Sequence, residues 1–324
     1  MEWIEQHFQM VDEFPRPDWG AIAAVAEENF RDIDQHKLWC SIARSWMQRL
    51  ISVLDSSYSV YESDNFIILT SESSKYVTIF QKFLERTLKR IVKMLPGIAS
   101  DEGDGKYVVL IFDDIDMYYS YLSDFYDKDG TYGLSSGVYL NQGYGHFAFP
   151  HRELAHAESI AAHEMTHALL SHLPIPTWLN EGIAVTIENM LTGSAPLEMN
   201  DELYAQHQSF WGDKEIQEFW SGDSFYRPDK GQELSYHLAQ FAVHSLSQDY
   251  DNFIAFANQA HFNDGGESAA NEVYEGSLGN LIAQYFGEGE WTPRPETWAG
   301  VQPSHGLQSE AAEMPLPSRL MTCV

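Results

Sequence analysis

Apolar residues along this chain recur mostly at helical spacing, broken by a few short runs with strand character. Over 35–54, Leu38, Trp39, Ile42, Ala43, Trp46, Met47, Leu50 and Leu54 fall on one helical face. Over 74–95, Tyr76, Ile79, Phe80, Phe83, Leu84, Leu88, Ile91 and Leu95 do the same, and Pro96-Gly97 closes the helix. Asp18 predicts a capped helix through Phe30, whereas 1–17, punctuated by Pro15 and Pro17, reads as irregular. Strands are predicted over 59–62 and 65–70, at 107–112, and over 137–140 and 145–149. Adjacent Asp113 and Asp114 hint at a metal, but capping of a short helix is the better reading.

After the last strand the pattern becomes helical. Ile160, Ala161, Met165, Ala168 and Leu169 predict a helix to about 172, which Pro174 and Pro176 interrupt. A second helix opens at Pro176 or Thr177, with Trp178, Leu179, Ile183, Ala184 and Ile187 apolar. Short helices follow over 201–211 and 214–220, then a loop over 221–230 and helices over 233–247, 251–258, 269–274 and 278–286. The expected class is α+β: a small mixed sheet with helices, then a helical C-terminal lobe. The expected plan is an N-terminal helical extension (1–56), a main domain (57–290, with a sheet lobe to about 172) and a Pro-rich irregular tail (291–324). No internal repeats are present.

Composition changes this picture in few places. The 324 residues are 44% hydrophobic, enough for a sizeable core. A net charge of −29 disfavours nucleic acid and anionic membranes as partners. Cys40 falls in an apolar helical pattern and reads as a buried thiol, Cys323 is at the tail, and their spacing suggests neither a disulfide framework nor a metal site. No secretory leader or membrane-spanning run is visible, so a cytoplasmic protein is expected. Oligomeric state is left open.

The chemistry concentrates at His163-Glu164-Met165-Thr166-His167. Histidines four apart on a helix point two imidazoles at one spot, and the carboxylate of Glu164 can reach a water held there. A hydrolytic zinc site needs a third protein ligand and one open position. His167 precedes His172 by five residues, and Glu181 follows Pro176 by five. At 1.5 Å rise per residue, both lie roughly 7–8 Å from the turn in an antiparallel helix pair, so Glu181 is the candidate third ligand, with His172 and Glu188 as alternatives. Gly182 is expected to let its helix approach the motif helix closely.

His163, Glu164, His167 and the segment from Trp178 to Ala184 (W-L-N-E-G-I-A) resemble gluzincin metallopeptidases, most closely the bacterial peptidase MA-like domain family. The resemblance spans about 58–291. It implies a zincin-like fold, one zinc per chain held by His163, His167 and Glu181 in a cleft between the lobes, and peptide or protein substrates. It also implies hydrolysis by a metal-activated water, with Glu164 as general base. Gluzincins commonly place a Tyr or His donor beside the metal, and Y-x-x-A-x-x-A-V from Tyr236 resembles the helix that carries it. Tyr236 is therefore a candidate oxyanion donor, with His237 and His244 as alternatives. Val138-Tyr139-Leu140 is the candidate edge strand for pairing with extended substrate. The acidic residue that thermolysin-like relatives carry four positions after the third ligand is here Val185, which leaves Glu188 or a backbone carbonyl to orient the site. His146, His151, His156 and His172 read as surface or capping histidines. The alternatives in other classes are a non-catalytic zinc-stabilised binding protein descended from a peptidase and an acidic interaction module.

Overall fold

A computed structural model describes residues 2–11, 13–125, 136–193 and 200–298. It is α+β and mostly helical. Its described residues divide into two compact units, one within 2–93 and 101–168 and the other within 94–100 and 169–298. None of its helices, among the described residues, is long and apolar enough to cross a membrane.

In the first unit a hairpin of β1 (Phe8–Val11) and β2 (Phe14–Pro17) occupies the stretch expected to be irregular. Its prolines sit on a two-stranded ribbon whose outer edges need no ladder hydrogen bonds, which is why they did not exclude a strand. Next comes α1 (Trp19–Phe30), capped as expected by Asp18, which accepts from the Ala21 N–H. Then α2 (Gln35–Ile51) buries Leu38, Trp39, Cys40, Ile42, Ala43, Trp46, Met47 and Leu50. It stops short of 54, with the N–H of its C-cap residue Ser52 bonded to the Arg49 and Leu50 carbonyls. Burial raises the pKa of the Cys40 thiol.

The main sheet follows: β3 (Ser59–Glu62), β4 (Phe66–Thr70), α3 (Ser74–Met94), β5 (Tyr107–Phe112), α4 (Ile115–Leu122), β6 (Val138–Leu140), β7 (His146–Pro150) and α5 (Leu154–Leu170). The strand order is β3-β4-β5-β7-β6, with β4, β5 and β7 parallel and the outer strands antiparallel. The three parallel strands are buried along their whole length, as their unbroken apolar runs require. Asp114 caps α4 and Asp113 accepts from the Tyr58 hydroxyl, so both aspartates have structural roles.

The second unit is helical: α6 (Thr177–Thr192), α7 (Asp201–Phe210), α8 (Asp213–Ser221), α9 (Lys230–Leu246), α10 (Tyr250–Gln259), α11 (Glu267–Tyr274) and α12 (Leu278–Phe286). A 3-10 turn, Asp223–Tyr226, fills part of the expected 221–230 loop. Trp178, fully buried, centres an aromatic core with Phe219, Trp220 and Phe256, and its indole N–H donates to the Gly265 carbonyl at 2.9 Å. Of the expected irregular tail, residues 291–298 are described. Gln217 donates to the Thr292 carbonyl and accepts from the Arg294 N–H and the Trp298 indole, fastening this segment to α8. Residues 299–324, including Cys323, lie outside the described residues.

Candidate metal centre

On α5, Ala161, Ala162, Met165, Thr166, Ala168, Leu169 and Leu170 are buried, while His163, Glu164 and His167 form a half-buried stripe. The Thr166 hydroxyl, which would otherwise be an orphan in the core, bonds back to the Ala162 carbonyl at 2.9 Å. The two imidazoles stand edge to face, with ring centroids 4.7 Å apart, as i and i+4 spacing dictates. Glu181, also half-buried, comes from α6. One ligand atom from each of His163, His167 and Glu181 lies within 4.8 Å of the others. Atoms sharing a zinc at about 2.0–2.1 Å in a tetrahedron are about 3.3–3.5 Å apart, so small side-chain adjustments suffice to close this group on an ion. Two neutral nitrogens and one carboxylate also suit a borderline-soft divalent cation, and three ligands leave a fourth position open. The chain has 13 histidines and 48 Asp and Glu residues. Among the described residues this is nevertheless the group of His, Cys, Asp or Glu able to hold a metal, and it forms at the motif.

Glu164 is outside the ligand group. Its Oε2 accepts the Tyr139 backbone N–H at 2.7 Å. Tyr139 is the middle residue of β6, which is the last strand of the described sheet, as expected. The N–H of Tyr139, on the side away from β7, is taken by Glu164 and so is not open to a further strand. Gly137, just before β6, explains the close fit. A Cβ there would lie 2.4 Å from Phe149 of β7 and 2.5 Å from Ile160 of α5.

A scan of protein-family models matches none to this chain, and no curated protein matches it significantly. The likeness to gluzincins therefore rests on the motif and the segment after it.

Gly182 does permit a close approach, but to a different helix from the one expected. A Cβ on Gly182 would lie 2.6 Å from the Ala239 carbonyl and 2.7 Å from Val243 of α9. The helix carrying Glu181 is thus seated on α9, against which α6 packs extensively. That contact also sorts the donor candidates. Tyr236 lies one turn before Ala239 on the stripe of α9 that faces α6, half-buried and edge-on to Phe225 at 5.2 Å. His237 and His244 lie on a stripe roughly 100° round the helix. His237 is beside His207, with rings 6.0 Å apart, and His244 is exposed beside Gln248.

Val185 and Glu188 are both half-buried on α6. Glu188 shares the face of Glu181, about 10.5 Å further along the axis. Of the four other histidines near the motif, His146 is not at the surface: it is 1% exposed. Its Nδ1–H donates to the Tyr144 carbonyl and its Nε2 accepts from Tyr121, both at 2.7 Å, and burial drives its pKa down to about 3. Its place in β7, a strand buried at every position, puts it inside. His151 pairs with Glu72 at the surface, and His156 is exposed.

Proposed function

We propose that the protein is a zinc-dependent peptidase, with His163, His167 and Glu181 as metal ligands and Glu164 as general base. The observation that carries this reading is the group of two imidazoles and one carboxylate, whose donor atoms lie within 4.8 Å at the motif. A zinc ion, when bound, supplies Lewis-acid polarisation of a carbonyl and acidifies a water. Glu164 takes the proton of the attacking water and returns it to the departing amine. Its Oε2, fixed by the Tyr139 N–H, holds the carboxylate in one orientation through both transfers. Tyr236 donates its hydroxyl proton in a hydrogen bond to the oxyanion that develops on the scissile carbonyl. Val185 in place of an acidic residue leaves orientation of the imidazoles to other groups, with Glu188 as the candidate on α6.

The test is Glu164→Gln. Gln has nearly the same volume and can still bond the metal-side water, but it cannot accept its proton. Zinc content and melting temperature should match the wild type, while cleavage of an unstructured peptide pool falls by about 10²–10⁴. Equal cleavage by both proteins would refute the assignment of Glu164. A zinc-loaded wild type that cleaves nothing in a broad pool would favour the non-catalytic zinc-binding alternative.

A further inference from the structure

In the first unit, positive charge gathers on one helix. Lys75, Lys82, Arg86, Lys89, Arg90 and Lys93 of α3 are all exposed. At about 100° per residue they fall within an arc of about 100°, opposite the stripe of Val77, Phe80, Leu84, Leu88 and Ile91 that α3 buries. Lys75 and Lys93 are about 27 Å apart along the axis. Ile79 falls inside the same arc and is 39% exposed. The chain has 19 Lys and Arg residues against 48 Asp and Glu, so this concentration runs against its overall charge.

These cations lack the pairing seen elsewhere. Arg16, Arg44, Arg49, Lys106, Arg227 and Arg294 each lie in an ion pair with an Asp or Glu. Among the described residues, no ion pair involves any of the six on α3. Glu85, the acidic residue of α3, is turned inward, where its carboxylate accepts from the Ser63 hydroxyl and from the backbone and side-chain N–H groups of Asn65. Glu85 and Glu158 of α5 attract Lys89 and Arg86 from the margins without closing a pair. Lys82, Arg86 and Arg90 stand at i, i+4 spacing, as do Lys89 and Lys93, and like charges so placed destabilise a helix. A helix face that only meets water is better served by interleaved signs.

We propose that the exposed face of α3 docks an acidic peptide segment of a partner protein, whose carboxylates lie along the six cations and whose apolar contact is Ile79. Charge complementarity selects an anion, and breadth selects among anions. The screening length is about 8 Å at physiological salt, so a ligand responds to the charges directly beneath it. A bilayer or a nucleic acid extends well past the stripe and meets the rest of a chain of net charge −29, whereas a slender peptide stays on the cations. About eight extended residues span the stripe. This docking needs nothing from the metal centre.

The test follows, by fluorescence anisotropy on the full chain, a labelled oligoglutamate of about ten residues, long enough to cover the stripe. Two variants of equal net charge are compared. One combines Lys82→Gln, Arg86→Gln and Lys93→Gln; the other combines Arg31→Gln, Lys37→Gln and Lys214→Gln, also exposed but away from α3. Urea midpoints verify that both variants fold. The stripe variant should bind the peptide about 10-fold more weakly than the wild type and the other variant within about 2-fold of it. Wild-type binding should weaken as salt is raised. Phosphatidylserine vesicles and a DNA duplex should bind poorly. No binding of oligoglutamate by the wild type at low salt, or equal weakening in the two variants, would overturn the proposal. So would vesicles or duplex that bind in place of the peptide and lose that binding in the stripe variant, or a dimer of the chain that forms through the stripe instead.

Discussion

At the scale of single residues, Tyr236 and its neighbours make the most discriminating set. Tyr236 is on the α6-facing stripe of α9, whereas His237 and His244 point elsewhere. Tyr236→Phe should keep zinc and fold but lower turnover by about 10²–10³. His237→Gln and His244→Gln should change turnover little. If a histidine variant shows the loss and Tyr236→Phe does not, the donor has been misassigned. His163, Glu164 and His167 were legible in the sequence because a helix converts i, i+4 spacing directly into shared direction. The Tyr139 N–H on Glu164 was not legible, since every residue but proline has such a donor and only the fold says where it points. The hydrogen bond from the Trp211 indole N–H to His207 Nδ1 was equally hidden at i, i+4 in a segment that reads simply as a short amphipathic helix.

At the scale of elements, helices of three or more turns were legible from their apolar stripes, and β4 and β5 from unbroken β-branched runs. The hairpin over 8–17 was missed because its strands are four residues each and two of them are proline. Gly182 shows the limit of local reading: the sequence announces a close contact without saying with what. Its partner is the Ala239 backbone carbonyl, 57 positions later in the numbering. Backbone cannot rotate away as a side chain can, so Gly182→Ala must separate α6 from α9. The expected cost is about 1–3 kcal/mol of stability, with weaker zinc retention because Glu181 moves with α6. Urea unfolding together with zinc content measures both. An unchanged midpoint would show that the contact is looser than described. Gly137→Ala should likewise displace β6 from α5 and lower hydrolysis more than zinc content, since it disturbs the anchor of Glu164 rather than a ligand.

At the scale of the whole molecule, the buried histidines set an acid limit on stability. His146 in the first unit has its pKa driven by burial to about 3, and His207 in the second to about 4. In the unfolded chain both titrate near 6.5, so between these values the unfolded state binds more protons. Their contribution is intact above about 6.5 and is lost as pH falls, with a slope of up to about 1.4 kcal/mol per pH unit for each histidine. Carboxylates held low by ion pairs, such as Glu62 at about 2 beside Arg44 and Lys106, act only below the ordinary carboxylate range. Urea midpoints at pH 7 and pH 5 should therefore fall for the wild type and fall less for His207→Gln. An identical pH dependence in the two proteins would contradict the neutral, buried state of His207.

On the proposed reading, three side chains from two consecutive helices, His163, His167 and Glu181, hold one zinc. The most direct measurement is zinc per chain, by mass spectrometry of the purified wild type and of Glu181→Ala after chelation, reloading and desalting. One zinc is expected in the wild type and far less than one in Glu181→Ala at equal folded fraction. No zinc in the reloaded wild type, or full zinc in Glu181→Ala, would contradict it.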